Sequence, residues 1–495
     1  MTADLIIRGA RIVDGTGAAS FEGDVAIEGD RIAQVGSVSG EARETIDGKG
    51  LTLSPGFIDV HTHDDFAFLR HPDMGFKLFQ GVTTCVCGNC GFSAIPSTPG
   101  ADPLAGGGGI FAGAGGEFTD LEGYFASVMA GKPSINAIML AGHNTIRAQV
   151  MGLEERAPTR PELEAMRGKV REAMEQGACG FSTGLIYRPG KWSGTEEIIE
   201  LAREAAPFGG LYATHMRNEG DRLLEAVEET LTIAREAGVP THISHHKAAG
   251  RPNWGKVRES LERVERARAE GQTVNLDVYP YTAGSGRMIE YFNLANINRA
   301  FAEVVRIANC PAFREFEGRM LTEIAADRGE PIEEVVRLIL TAPLGERTIC
   351  IHFIIDEADI EANLRFPTMM VGSDGIPDLK GKPHPRLFGT FTRILETYVR
   401  ERHVLTLEDA IRRMTSLSAD AFGIVDRGRI EPGRFADLVL FDAAHVHERA
   451  SYDDPKQYPD GVAAVVVNGA VAARAGACTG AGSGQMLRYR SAVTG

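Results

Sequence analysis

Short apolar runs broken by glycine open the chain, at 5–8, 11–14, 24–28 and 31–35, with the dipeptides Asp14-Gly15 and Gly29-Asp30 among them. Runs of this length with such breaks predict strands joined by hairpins. The same style returns near the other end, where 433–441 and 461–471 are rich in Val, Ala and Leu. Strands at the two ends can complete one another. The pattern therefore predicts one small β-sandwich built from 1–55 and 416–495.

Between these ends the period changes. Apolar runs ending at His63, Cys87, Leu140, Leu185, His215, His245, Tyr279 and Asp374 read as strands. Segments 160–176, 196–204, 222–237 and 256–269 carry the 3.6-residue period of amphipathic helices. Eight strands alternating with helices predict an α/β fold, a parallel (β/α)8 barrel of the TIM type over 56–415. A ninth run at 348–354 leaves the register of the last strands open. Residues 290–345 read as helical and exceed a simple connection, which predicts an inserted helical cap. The Gly/Ala/Pro-rich stretch 99–116 is expected to be a mobile loop. No solenoid-type repeat is visible.

Composition narrows the class without choosing it. A chain of 495 residues exceeds one small core, and 43% hydrophobic with 24% charged residues is ordinary for a globular protein. A net charge of −15 argues against an electrostatic partnership with nucleic acid or an anionic membrane. The first residues lack a secretory pattern, and no apolar run approaches the roughly 18 residues of a membrane span. Seven scattered cysteines are the pattern of a reduced, cytoplasmic protein. Cys87 and Cys90 form a Cys-x-x-Cys, but no second such pair exists to complete a zinc knuckle.

The candidate chemistry lies at the strand ends. Residues 57–60 read as a buried strand with His61 and His63 at its C-terminal end. Residues i and i+2 of a strand point the same way, so both imidazoles can face one divalent metal. Cys90, His215, His245 and Asp374 also fall at or just after predicted strand ends, the face on which barrel enzymes assemble their sites. A lone histidine there is more often structural, but six such residues make a ligand set. His246, next to His245, points the opposite way and reads as a core or supporting residue.

At these residues the chain resembles the amidohydrolase superfamily, and within it the N-acyl-D-amino-acid deacylases (D-aminoacylases). The motifs that carry the resemblance begin with SPGFIDVHTHDD (54–65), GVTTCVCGNCG (81–91), GHNTIR (142–147) and FSTGLIY (181–187). They continue with THMR (214–217), ISHHK (243–247), YPYTAGS (279–285), GSDG (372–375) and HPRLFGTF (384–391). Many amidohydrolases carry a bridging carboxylated lysine after the fourth strand. No lysine precedes Lys191 there, and in the deacylases a second-strand cysteine takes that role, matched here by Cys90.

The resemblance implies zinc held tightly by Cys90, His215 and His245, with His61, His63 and Asp374 forming a second, weaker site. It implies hydrolysis of small N-acyl-D-amino acids to a carboxylate and a free D-amino acid by a metal-activated water. Asp374 would serve as general base and then general acid. Tyr187, Lys247, Tyr279 and Ser285 would surround the substrate carboxylate.

Arg287 stands in a Gly-Ser-Gly-Arg context that departs from the more apolar continuation expected of the family. It could pair with an acidic substrate side chain or face solvent, while Met288 and Phe292 suit an apolar one. A neutral or broad side-chain range is the working expectation. Two other readings stay open: a hydrolase of cyclic amides or D-dipeptides in the same superfamily, and a non-catalytic scaffold on the same barrel. The missing carboxylated lysine counts against the first, and the full set of ligand types against the second.

Overall fold

The computed structural model describes residues 3–96, 118–377 and 379–489, and eight parallel strands run through its centre. In spatial order they are Phe57–Asp59, Val82–Cys87, Asn136–Gly142, Gly180–Gly184, Leu211–His215, Thr241–Ile243, Val274–Val278 and Met369–Val371. Every residue in them is buried, as a parallel sheet covered by helices requires. The covering helices include Arg160–Glu175, Thr195–Ala202, Leu223–Ala237 and Lys256–Ala269. Arg160–Glu175 begins with a capping box between Thr159 and Glu162 and turns Met166, Val170 and Met174 inward. The stretch 99–116 lies outside the described residues. Among the described residues no helix is long and apolar enough to cross a membrane.

The two chain ends meet in one sheet of nine strands. Thr52–Pro55 from the N-terminal end pairs antiparallel with Leu438–Phe441 from the C-terminal end. Inward side chains of both ends, among them Ile7, Val25, Leu53, Leu438 and Val466, share one core. The runs 5–8 and 11–14 are a single strand, Ala3–Ile12, whose register shifts between Ile7 and Ala10. Gly9 sits at that shift with φ +63°, which lets the strand bulge without ending. The run 461–471 is in turn two strands, Val462–Val467 and Ala470–Arg474, joined at Asn468 and Gly469. Both turn residues have positive φ, the requirement of a tight hairpin.

The insertion after the seventh strand contains more than helices. Gly284–Arg287 and Val305–Asn309 both pair antiparallel with Ile349–His352, so the ninth apolar run is the middle strand of a small sheet. Helices Leu321–Arg328 and Ile332–Thr341 pack on it around a separate core that includes Val305, Leu321, Val335 and Cys350. The insertion is therefore wider than 290–345. Period alone missed its first strand because Gly-Ser-Gly-Arg carries no apolar alternation.

No strand ladder joins Phe57–Asp59 to Met369–Val371, so side chains and loop backbone close the barrel. The buried Lys77 ammonium donates to Asp59 Oδ2 at 2.6 Å and Ser373 Oγ at 2.7 Å, and stands 3.3 Å from Asp64. Asp59 Oδ1 accepts from the Ser373 amide at 2.8 Å. Just above, Asp374 N donates to His61 O at 2.8 Å and His63 N to Gly375 O at 3.2 Å. Replacing Lys77 by Met leaves two carboxylates buried without their cation, a change that costs about 3–5 kcal/mol. Urea unfolding of Lys77→Met should show a loss of that order. A change below about 1 kcal/mol would show that Lys77 does not hold the seam.

Candidate metal centre

Three of the proposed ligands sit on backbone that side chains rarely adopt. Cys90 has φ +54°, His245 φ +33° and Asp374 φ +49°. Left-handed backbone outside glycine costs about 1–3 kcal/mol and persists only where the surroundings impose it. Around Cys90 they do. The turn Asn89–Gly91 follows the second strand and presses on its neighbours: a Cβ on Gly184 would overlap the Cys90 carbonyl, and one on Gly88 the Leu140 carbonyl. Asp65 clamps the turn from both sides, accepting from Gly88 N at 3.2 Å and Ala94 N at 3.0 Å.

The turn places the Cys90 sulfur 3.3 Å from His61 Nε2, 3.5 Å from His245 Nε2 and 3.8 Å from His215 Nδ1. Asp374 Oδ1 lies 3.1 Å from His63 Nε2 and 3.6 Å from His61 Nε2. All six side chains are buried. The Cys90 sulfur thus stands within reach of residues from both candidate ligand sets. Zinc bonds of about 2.3 Å to sulfur and 2.0 Å to nitrogen at a tetrahedral angle would separate the two donors by roughly 3.5 Å. The observed sulfur–nitrogen distances fit that geometry. Burial by itself pushes the Cys90 thiol up, but the His61 and His245 rings hold it well below the usual thiol range, toward the thiolate that binds metal.

A second row of carboxylates orients the imidazoles. Asp277 Oδ2 lies 3.2 Å from His61 Nδ1 and 2.7 Å from His242 Nε2, and Oδ1 accepts from His245 N at 3.0 Å. Burial raises its pKa, yet the His61 and His242 rings hold it well below the carboxylate range. With Nδ1–H of His61 committed to this anion, Nε2 carries the lone pair toward the centre. Glu219 lies beside the other pair, 2.9 Å from His245 Nδ1 and 3.4 Å from His215 Nε2. His246 turns away to Asn363 and Ser260, and burial brings it down to about 4.

The residues expected around the substrate carboxylate, Tyr187, Lys247, Tyr279 and Ser285, lie beside the cluster. Lys247 Nζ lies 2.8 Å from His245 Nδ1 and 2.5 Å from Glu219, and faces the Tyr279 ring at 5.8 Å. The Tyr187 ring stands 4.8 Å from that of His215. Ser285 lines the crevice that also contains His63, Asp374 and Tyr187. Arg287 lies farther along, ion-paired to Glu290 at 2.6 Å rather than facing solvent. Glu219, Asp277 and Arg386 belong to the site but were not singled out in the sequence. Arg386 pairs with Asp374 Oδ2 at 2.9 Å and lies 4.5 Å over the Tyr279 ring. Its signal was present in HPRLFGTF, and that of Glu219 in its place four residues after His215.

The chain matches the amidohydrolase family over residues 44–260 and 252–473. It is 42% identical over 494 residues to a D-aminoacylase of Alcaligenes xylosoxydans xylosoxydans, spanning 99% of this chain and 98% of that protein. It is 40% identical over 473 residues to an N-acyl-D-glutamate deacylase of the same organism, spanning 94% of this chain and 93% of the relative. Among solved structures, the N-acyl-D-glutamate deacylase of Bordetella bronchiseptica, complexed with zinc and a phosphonate inhibitor mimicking the tetrahedral intermediate, superposes with a TM-score of 0.91. It is 40% identical and covers 99% of this chain and 100% of its own.

Two substitutions separate ligand from support. Zinc titrated into Cys90→Ala should bind at least ~100-fold more weakly than to the parent, whereas Asp277→Asn should lose about 10–100-fold. Isothermal titration calorimetry reads both. Parental affinity in Cys90→Ala would remove the thiolate from the ligand set.

Proposed function

Because the chain belongs to the amidohydrolase family, and within it to the N-acyl-D-amino-acid deacylases, we propose that it hydrolyses the amide of N-acyl-D-amino acids to a carboxylate and a free D-amino acid. Cys90, His215 and His245 would hold the tighter zinc, and His61, His63 and Asp374 a second position. Bound zinc would supply Lewis acidity, polarising the amide carbonyl and making water a stronger acid.

The rest of the mechanism belongs to side chains. Asp374 Oδ1 lies 3.1 Å from His63 Nε2, Oδ2 pairs with Arg386 at 2.9 Å, and the residue lines the crevice. That orientation suits a group that takes a proton from the attacking water and returns it to the departing nitrogen. Burial alone would raise the Asp374 pKa, but the Arg386 guanidinium keeps it well below the usual range, so the residue begins as a carboxylate. Lys247, Tyr279, Tyr187 and Ser285, joined by Arg386, would hold the substrate's α-carboxylate. With carboxylate and amide both anchored, the α-carbon offers its side chain only one accessible direction, which is how such a site selects the D configuration.

The observation that carries this reading is the thiolate–imidazole cluster standing beside a wall of ammonium, guanidinium and phenol groups. Paired N-acetyl-D- and N-acetyl-L-amino acids, assayed with zinc, test it. Turnover of the D series alone is expected. Turnover of neither series, with hydrolysis of cyclic amides or D-dipeptides instead, would overturn it. Asp374→Ala should retain stoichiometric zinc at the cysteine site while kcat falls by at least ~10²-fold, the scale of a lost proton-transfer group. A near-parental rate in that variant would assign proton transfer elsewhere.

A further inference from the structure

Resting on the deacylase reading, we infer that Arg287 and Glu290 act together as a specificity pair that restricts the enzyme to N-acyl-D-amino acids with uncharged side chains. The crevice beside the candidate metal centre is lined by His63, Asp374, Phe92, Ile376, Arg287 and Glu290. Ser285 and Arg287 alternate on the strand Gly284–Arg287 and so face the same side. Arg287 is also the residue preceding the short helix Met288–Tyr291, and Glu290 stands three positions on. This spacing folds the carboxylate back onto the guanidinium at 2.6 Å, with 8% and 4% of the two side chains exposed.

The pair makes the end of the crevice electroneutral. An acidic substrate side chain would compete for the Arg287 donors while facing the Glu290 carboxylate, with little water to screen the repulsion. A cationic side chain meets the converse problem at Arg287. An uncharged one disturbs neither partner and lies against Phe92 and Ile376. Overall similarity does not make this choice, since relatives with different side-chain names are 42% and 40% identical to the chain.

The test is the kcat/KM profile of the zinc-loaded protein on N-acetyl-D-Leu, -Met, -Gln, -Glu, -Asp and -Lys. Uncharged side chains are expected to exceed charged ones by at least ~10-fold. A parental preference for Glu, Asp or Lys overturns the inference, whatever the variants do. Glu290→Gln leaves Arg287 without its adjacent anion, and the Glu-to-Leu ratio should rise by ~10-fold or more. An unchanged ratio in that folded variant also overturns it. Turnover of no D substrate by the parent would defeat the deacylase reading itself, a result distinct from a reordered profile.

Discussion

Everything in this site depends on one buried ammonium. The first and eighth barrel strands carry His61, His63 and Asp374, yet no ladder of backbone hydrogen bonds joins those strands. Lys77 bridges them through Asp59 and Ser373. The backbone of Asp374 then docks on His61, and that of His63 on Gly375. The candidate ligands His61, His63 and Asp374 are thus placed by a polar seam beneath them. A buried cation between two carboxylates is a costly way to close a barrel unless each partner is satisfied. Here the ammonium touches Asp59, Asp64 and Ser373, and Asp59 also receives the amide of Ser373.

Strain is the second device. Cys90, His245 and Asp374 lie on three separate loops, and all three have left-handed backbone. A regular strand end would spread side chains along the strand direction, whereas a left-handed residue turns its side chain sharply out of line. Three such turns bring a sulfur, an imidazole and a carboxylate toward the same point. The surroundings hold the turns in place: the Asp65 clamp at Cys90, the Asp277 carboxylate on the His245 amide, and the His61 carbonyl on the Asp374 amide.

The charges of the site divide into two layers. Near the cluster, the three imidazoles that face the sulfur are each flanked by an acidic group on the other side, Asp277 for His61 and Glu219 for His215 and His245. Outside them, Lys247 pairs with Glu219 and Arg386 with Asp374, and both cations face the Tyr279 ring. Arg287 lies apart from both layers, paired to Glu290. Each of these cations thus has a carboxylate of its own, and only local geometry sets which one.

Much of the barrel and most of the site were legible from the residues. Strand ends, the covering helices and the six ligand-type side chains follow from period and position, because a parallel barrel puts every strand's C-terminal end on one face. The family resemblance follows from motifs such as GVTTCVCGNCG, whose glycines are needed where the Cys90 turn presses on the third and fourth strands. The strand Gly284–Arg287 was not legible, since it has no apolar alternation and exists only because Ile349–His352 lies beside it. Asp277, Lys77 and the occupied state of Arg287 were equally hidden. Their roles depend on pairings between residues such as Asp59 and Ser373, 314 positions apart, and on carboxylates that could as well have faced solvent. Sequence determined which chemical groups stand at the barrel mouth. Tertiary structure alone decided which of them pair with each other and which are left to meet a substrate, because a charge takes its meaning from the nearest opposite charge in space.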